Sequence, residues 1–167
     1  AQIFETDSRA VISFGGMNMP LASSLPVEYA GWVLQTALPL LLASGLVHDV
    51  VIIGGHGSLS TAIPEQYRTE SRVRLLGFLA PDDYRQLLRS SPHQMLTPGL
   101  ATIYEANLMG ISPMFLPGFS MSMLLQARDY VEDADIGVGQ VCEWTWAEDA
   151  VREVRRLSEV EGVSIVS

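Results

Sequence analysis

The chain contains the run Asp49-Val50-Val51-Ile52-Ile53, followed at once by Gly54-Gly55. A short, continuous apolar run that ends in a glycine turn is typical of a strand buried on both faces of a parallel sheet. The same pattern occurs upstream at residues 10–14, before Gly15-Gly16, and downstream at residues 73–76. These three runs predict three parallel strands.

Further segments extend the pattern along the chain. Apolar runs predict a fourth strand at residues 94–97, a fifth at residues 113–116 and a weak sixth at residues 136–138. Helices are predicted between and after the strands, over residues 26–44, 82–89, 100–109, 120–131 and 145–160. Strands that alternate with helices predict an α/β fold, with residues 1–167 forming one domain around a doubly wound, Rossmann-like parallel sheet.

The composition limits the possible functions. The 167 residues are 48% hydrophobic and 17% charged, which is enough apolar material for a packed core. The net charge of −9 repels phosphate backbones, so we expect no nucleic-acid partner. The chain has no lysine, because all ten formal cations are arginines. This excludes a P-loop lysine and a Schiff-base lysine.

The single cysteine, Cys142, excludes a disulfide framework and a cysteine-rich metal site. It also favours a reducing, cytoplasmic location. No apolar run is long enough to cross a bilayer, and the N-terminus lacks a signal-peptide pattern. Because the sequence starts at Ala1 without methionine, we interpret it as a trimmed fragment of a longer chain.

The most informative segment is residues 96–106, where a strand ends, a glycine turn follows and a helix begins with small residues. Free N–H groups at the start of a helix bind anions, and the helix dipole strengthens that preference. The residues that offer such N–H groups are Gly99, Leu100, Ala101 and Thr102, and the Thr102 hydroxyl is a further donor. Glu105 lies one turn later and is suited to accept hydrogen bonds from a ribose diol. The spacing alone fits equally well a plain strand, turn and helix with a solvated Glu105.

Residues 96–106 and the continuation at 110–117 resemble the donor-binding motif of GT-B-fold glycosyltransferases. Residues 11–17 resemble the strand and glycine turn that open the C-terminal domain of that family. Residues 74–79 resemble the strand and loop that read the base through backbone groups. The similarity is to the superfamily of UDP-glycosyltransferases and the N-acetylglucosaminyltransferase of peptidoglycan synthesis.

The resemblance implies that the chain is the C-terminal half of a GT-B fold and binds a UDP- or dTDP-sugar as substrate, with no other cofactor. In the family, the catalytic base and the acceptor site come mostly from an N-terminal domain. We expect that domain to be absent from this chain, whether removed or supplied as a partner subunit, and the isolated domain to be inactive. The catalytic residues are therefore unassigned. The donor-binding residues that the resemblance implies are Gly15, Gly16, Phe78, Leu79, Thr97, Gly99, Leu100, Ala101, Thr102, Glu105 and Gln126.

The chain departs from the family pattern at two places. Thr97 stands where many relatives have His, Lys or Ser, and residues 118–123 lack the Asp-Gln or Asn-Gln pair that holds the donor sugar. The nearest polar candidate for that sugar is Gln126. Two alternatives therefore stay open: a nucleotide-binding or interaction module without catalysis, and half of a nucleotide-sugar 2-epimerase.

The remaining polar and aromatic candidates have simpler interpretations. His56 is interpreted as a loop residue, and neither His48 nor His93 has a Cys, Asp or Glu at metal-ligand spacing, so no metal site is predicted. Trp144 and Trp146 are interpreted as packing anchors that face a missing domain.

Overall fold

A computed structural model of the chain describes residues 8–15, 25–54, 59–132 and 139–141. Within these residues one sheet contains six strands: β1 (Arg9–Phe14), β2 (Asp49–Gly54), β3 (Val73–Leu76), β4 (His93–Leu96), β5 (Met114–Phe115) and β6 (Gln140–Val141). The spatial order is β3-β2-β1-β4-β5-β6, and every neighbouring pair is parallel. This order confirms the predicted doubly wound α/β sheet.

Helices connect the strands. They are α1 (Leu25–Ala43), α2 (Leu59–Ala62), α3 (Pro81–Arg89), α4 (Leu100–Met109) and α5 (Met121–Gln126). A 3-10 turn covers Glu65–Tyr67, and a π-helix covers Ala127–Glu132 directly after α5. Within the described ranges, no helix has the length and apolar character needed to cross a bilayer.

The central strands are largely apolar because both faces of the sheet are covered. All residues of β1 and β2 are buried. Ala10 and Ile12 belong to the core on the α1 side, whereas Val11 belongs to the core on the side of α3 and α4. Alternate residues of one strand thus enter two different cores, which explains why the sequence of β2 shows no alternation of apolar and polar residues.

The ends of α1 and α4 lie close to the predicted ones, and a glycine follows each helix. Gly45 follows α1 with a φ of 72°, and Gly110 follows α4 with a φ of 66°, so both adopt the left-handed conformation that favours glycine. Pro81, Asp82 and Asp83 form the first turn of α3. The acidic pair is therefore placed where a helix dipole favours negative charge.

Three predictions need correction or lie outside the described residues. The fifth strand is shorter than residues 113–116, partly because Pro113 has no N–H for a ladder bond. The single helix predicted over residues 120–131 is wrong, since α-helical winding ends at Gln126 and π-helical winding follows. The strand predicted at residues 136–138 falls outside the described residues, and the edge strand that is described is β6.

The strand order places β1 beside β4 at the centre of the sheet. The chain proceeds from β1 to β2 and β3 on one side, and then crosses to β4, β5 and β6 on the other. In sheets of this kind, ligands bind beyond the carboxyl ends of the two strands where the direction of winding changes. The residues that follow β1 and β4 therefore form the candidate functional site.

Candidate functional site

The ends of β1 and β4 are joined by the side chain of Thr97. The backbone N–H of Gly15 donates to the Thr97 hydroxyl oxygen at 2.8 Å, and the same hydroxyl donates to the carbonyl oxygen of Gly15 at 3.0 Å. The backbone N–H of Thr97 donates to the carbonyl oxygen of Ser13 at 3.0 Å. Thr97 is 1% exposed, so these bonds are shielded from water. Two predicted donor-binding residues, Gly15 and Thr97, thus lie in direct contact.

The geometry gives Thr97 an internal role. Its hydroxyl proton is donated to Gly15, and its oxygen accepts from Gly15, so the group holds two loop backbones together at the switch point. The sequence pattern did not indicate this role, because the two residues are 82 positions apart. A ligand contact by the Thr97 hydroxyl would require at least one of these bonds to be exchanged.

We expect Thr97→Val to lower the free energy of unfolding by about 2 kcal/mol, because the nearly isosteric valine leaves the N–H and C=O of Gly15 without this partner. Urea denaturation of the purified chain measures the change. Thr97→Ser keeps the hydroxyl and should recover more than half of the loss. Thr36→Val is the matched control, since the Thr36 hydroxyl bonds only the Trp32 carbonyl on an exposed stretch of α1. A loss from Thr97→Val no larger than that from Thr36→Val would contradict the role of Thr97.

Helix α4 begins immediately after this junction, and no side chain at its N-cap residue satisfies its first N–H groups. Gly99 is the N-cap, with an extended backbone (φ −103°, ψ 150°). The N–H of Gly99 donates to the carbonyl of Thr97, and the N–H of Leu100 donates to the side-chain oxygen of Gln126 at 3.0 Å. The N–H groups of Ala101 and Thr102 have no hydrogen-bond partner among the described residues. Of the four donors that the sequence suggested, two therefore remain available.

The Thr102 hydroxyl faces the same space. Its oxygen lies 3.7 Å from the position that a Cβ would take on Gly99 and 3.8 Å from the corresponding position on Gly15. Gly99 has no side chain, so its backbone is open at this point, whereas a Cβ on Gly15 would already lie 3.3 Å from the Thr97 hydroxyl oxygen. The structure thus brings Gly15, Gly99 and Thr102 together around one small space at the end of the sheet, with the N-terminus of α4 directed at it.

Glu105 has a charged neighbour 20 positions earlier in the chain. Its Oε1 atom lies 3.1 Å from Nη2 of Arg85 on α3, and Arg85 also contacts Asp82 at 3.0 Å. The side chains of Glu105 and Arg85 are 37% and 39% exposed. An ion pair at such exposure contributes less than about 1 kcal/mol, so a ligand is able to compete for the carboxylate. The Glu105 carboxylate thus has a partner in Arg85, but this weak ion pair leaves it able to bind a ligand.

Behind the site, Tyr84 of α3 contacts β1 through a polar pair. The Tyr84 and Ser13 hydroxyl oxygens lie 3.2 Å apart. Burial raises the pKa of the Tyr84 phenol above its ordinary value of 10.0, the bond to Ser13 opposes that rise, and the charge of Glu105 adds to it. The phenol is therefore protonated at neutral pH and available as a donor. Ser13 is the one polar residue in the run at residues 10–14, and that interruption was the available sequence signal.

The remaining predicted donor contacts lie further along the same edge of the sheet. Phe78 and Leu79 follow β3, which is separated from β4 by β2 and β1. Three strand spacings put β3 about 14 Å from β4. Phe78 is 81% exposed, whereas Leu79 packs against the core on the α3 side. The predicted base-reading loop is thus separated from the α4 turn, and the aromatic ring of Phe78 is largely exposed.

Several predictions concern residues outside the described part of the chain. These are the donor contact Gly16, the loop residue His56, Cys142, the anchors Trp144 and Trp146, and the last helix at residues 145–160. Among the residues described, no three His, Cys, Asp or Glu side chains are grouped so that they could hold a metal ion.

A surface groove of about 480 Å³ lies at the opposite end of the sheet. It is lined by the start of β4 at His93, the start of β5 at Met114, and the later turns of α1 at Leu40 and Leu41. Because these are the amino ends of the strands, the groove is remote from the switch-point loops. We therefore do not assign it to the candidate site.

Comparison with known proteins supports the fold assignment. No protein-family model matches the sequence, and no curated protein matches it. Among solved structures, the chain resembles the glycosyltransferase SnogD from Streptomyces nogalater, with a TM-score of 0.52 and 15% identity over 97% of this chain. It also resembles E. coli heptosyltransferase WaaC with ADP, with a TM-score of 0.51 and 12% identity over 81% of this chain. The chain has the fold of a glycosyltransferase domain.

The extent of these matches is also informative. The match covers 38% of SnogD and 38% of WaaC, so this chain corresponds to well under half of either protein. The matched part is one Rossmann-like half of a GT-B fold, in agreement with the prediction from residues 96–106 and 110–117. At 12% and 15% identity the likeness concerns the fold, and the function has to be argued from the site itself.

Proposed function

We propose that this glycosyltransferase-like domain binds the diphosphate of a nucleotide sugar at the N-terminus of α4, as the donor half of a glycosyltransferase. The observation that supports this most directly is the pair of N–H groups at Ala101 and Thr102, which have no partner among the described residues and lie at the switch point of the sheet. Two backbone donors, one hydroxyl and the positive end of a helix dipole together favour an anion. The absence of a side chain on Gly99 allows that anion to approach the backbone.

The charge of the chain fits a ligand held by neutral donors. The net charge is −9, and Arg85, which lies next to α4, is already paired with Glu105 and Asp82. Backbone dipoles at the start of α4 are therefore the donors that we assign to a diphosphate at this site. Such dipoles are fixed before the reaction, so they also stabilise the charge that develops on a diphosphate leaving group.

The rest of the proposed reaction requires residues beyond this domain. Glycosyl transfer needs a base within hydrogen-bond distance of the acceptor hydroxyl, together with a surface that aligns that hydroxyl with the anomeric carbon. Chains such as SnogD have more than twice the length that this domain covers. We assign the base and the acceptor site to a further domain or subunit.

Titration calorimetry with the full 167-residue chain tests the proposal. The ligands are UDP and dTDP, each compared with uridine, thymidine and inorganic pyrophosphate. We expect the diphosphates and pyrophosphate to bind and the nucleosides to bind far more weakly, because the α4 donors need an anionic acceptor. Equal affinity for uridine and UDP would show that the phosphates are not bound at a helix N-terminus.

We expect Glu105→Ala to weaken UDP binding by about 1.5–3 kcal/mol and to leave pyrophosphate binding unchanged, because the lost bonds are those from ribose hydroxyls to a charged acceptor. Calorimetry on both ligands measures the two effects separately. Arg85→Ala is the matched control, since it breaks the same ion pair and leaves the carboxylate in place. If Arg85→Ala weakens UDP binding as much as Glu105→Ala does, the ion pair matters and the ribose contact is refuted.

A further inference from the structure

One donor at the N-terminus of α4 is already occupied by a side chain of the protein. The N–H of Leu100, the first residue of α4, donates to Oε1 of Gln126 at 3.0 Å across 26 positions of sequence. The first N–H groups of a helix have no partner within the helix, so an oxygen in this position takes the place that a ligand oxygen would take. Gln126 is thus an internal acceptor at the proposed phosphate site.

The position of Gln126 is set by the helix that carries it. Gln126 is the last residue of α5, and the chain changes to π-helical winding at Ala127. Four residues further on, the ring of Tyr130 contacts the ring of Tyr104, with 6.2 Å between centroids. Leu100 and Tyr104 are likewise four residues apart on α4, so the two segments run side by side in the same direction. Single π-helical turns occur often at functional sites, and this one begins directly after the residue that reaches α4.

The two possible acceptors for the Leu100 N–H differ in strength. The Gln126 amide oxygen is neutral, whereas a phosphate oxygen is ionised and forms a stronger hydrogen bond at the positive end of a helix dipole. We propose that Gln126 is a placeholder that satisfies Leu100 in the free protein and yields this donor to a phosphate oxygen when a diphosphate binds. This inference rests on the proposed function, and it adds that Gln126 sets the affinity of the site by competing with the ligand.

Replacing Gln126 should therefore change the affinity for inorganic pyrophosphate in opposite directions. Gln126→Ala removes the competing acceptor and should tighten binding roughly two- to tenfold, the equivalent of one net hydrogen bond. Gln126→Glu puts an ionised acceptor on the same donor and a negative charge beside the phosphate, and should weaken binding about tenfold or more. Gln35→Glu, at an exposed position on α1, makes the same change in net charge and should alter the affinity less than twofold.

Amide hydrogen exchange at Leu100 tests the placeholder bond without relying on ligand affinity. In the free wild-type chain the Leu100 amide should be protected, Gln126→Ala should speed its exchange, and saturating pyrophosphate should restore the protection in the variant. An unprotected Leu100 amide in the wild type would overturn the inference, whatever the chain binds. Weaker pyrophosphate binding by Gln126→Ala would also overturn it, because Gln126 would then be a direct ligand contact. If Leu100 is protected by Gln126 but neither protein binds pyrophosphate, the proposed function fails and the bond is only a helix cap.

Discussion

Asp49→Ala is expected to lower the free energy of unfolding by about 3–5 kcal/mol, because it leaves a buried arginine without its counter-ion. Asp49 begins β2 beside Arg9 of β1, and both its carboxylate oxygens accept from the Arg9 Nε, at 3.2 and 3.1 Å. The Nη2 atom of Arg9 is 3.0 Å from the same carboxylate. Arg74 of β3 also pairs with Asp49, but its side chain is 38% exposed and is able to reach water. The Arg9 side chain is only 3% exposed, so its charge is not able to reach water.

Urea denaturation of Asp49→Ala measures the change in the free energy of unfolding. Two further variants show whether that change arises from the unpaired charge of Arg9. Asp82→Ala removes a carboxylate that is 99% exposed from an arginine pair, and should cost less than about 1 kcal/mol. Adding Arg9→Met to Asp49→Ala replaces the unpaired buried charge by an apolar side chain of similar length. The double variant should recover a large part of the lost free energy of unfolding. If the double variant is less stable than Asp49→Ala alone, the loss does not arise from an uncompensated charge on Arg9.

The fold was predictable from sequence because its signals are local. The uninterrupted apolar run of β2, the left-handed glycines after α1 and α4, and the proline at the start of α3 are each features of a few consecutive residues. The bounds of β3 and α4 agree with the prediction at both ends. The failure after Gln126 has a physical reason, since a π-helix replaces bonds between residues i and i+4 by bonds one residue longer, and composition does not specify that change.

The site was predictable only in part, because its contacts are distant in sequence. The motif at residues 96–106 led to Gly99 and Thr102, which the structure places around the same space as Gly15. The pairing of Thr97 with Gly15, of Glu105 with Arg85 and of Leu100 with Gln126 spans 82, 20 and 26 positions. Each pairing depends on how helices and strands are placed in three dimensions, so a single sequence without its fold does not reveal it. Gln126 was predicted as a contact of the donor sugar, and the structure shows that its side-chain oxygen accepts from the N–H of Leu100 at the start of α4.

Gly99→Val should abolish diphosphate binding while the chain remains folded. Gly99 has an extended backbone that valine adopts readily, and a Cβ at this position meets nothing nearer than the Thr102 hydroxyl at 3.7 Å. The fold therefore tolerates the substitution, apart from about 1 kcal/mol for a poorer N-cap residue. A β-branched side chain at the N-cap projects into the space before Ala101 and Thr102 and keeps a phosphate away from their N–H groups. Losing two bonds to a charged acceptor, each worth about 1.5–3 kcal/mol, weakens binding by a factor of about 100 or more.

Calorimetry with UDP and with pyrophosphate measures this loss, and the urea midpoint of Gly99→Val establishes that the protein is folded. Gly99→Ala provides a graded comparison, because one methyl group obstructs the approach less than an isopropyl group does, so its affinity should fall between those of the wild type and Gly99→Val. The contrast with Gln126→Ala is the sharper test of the site, since both variants alter the same end of α4. Removing a competing acceptor raises the affinity, whereas blocking the donors lowers it. A folded Gly99→Val chain that binds pyrophosphate as tightly as the wild type would place the anion somewhere other than the N-terminus of α4.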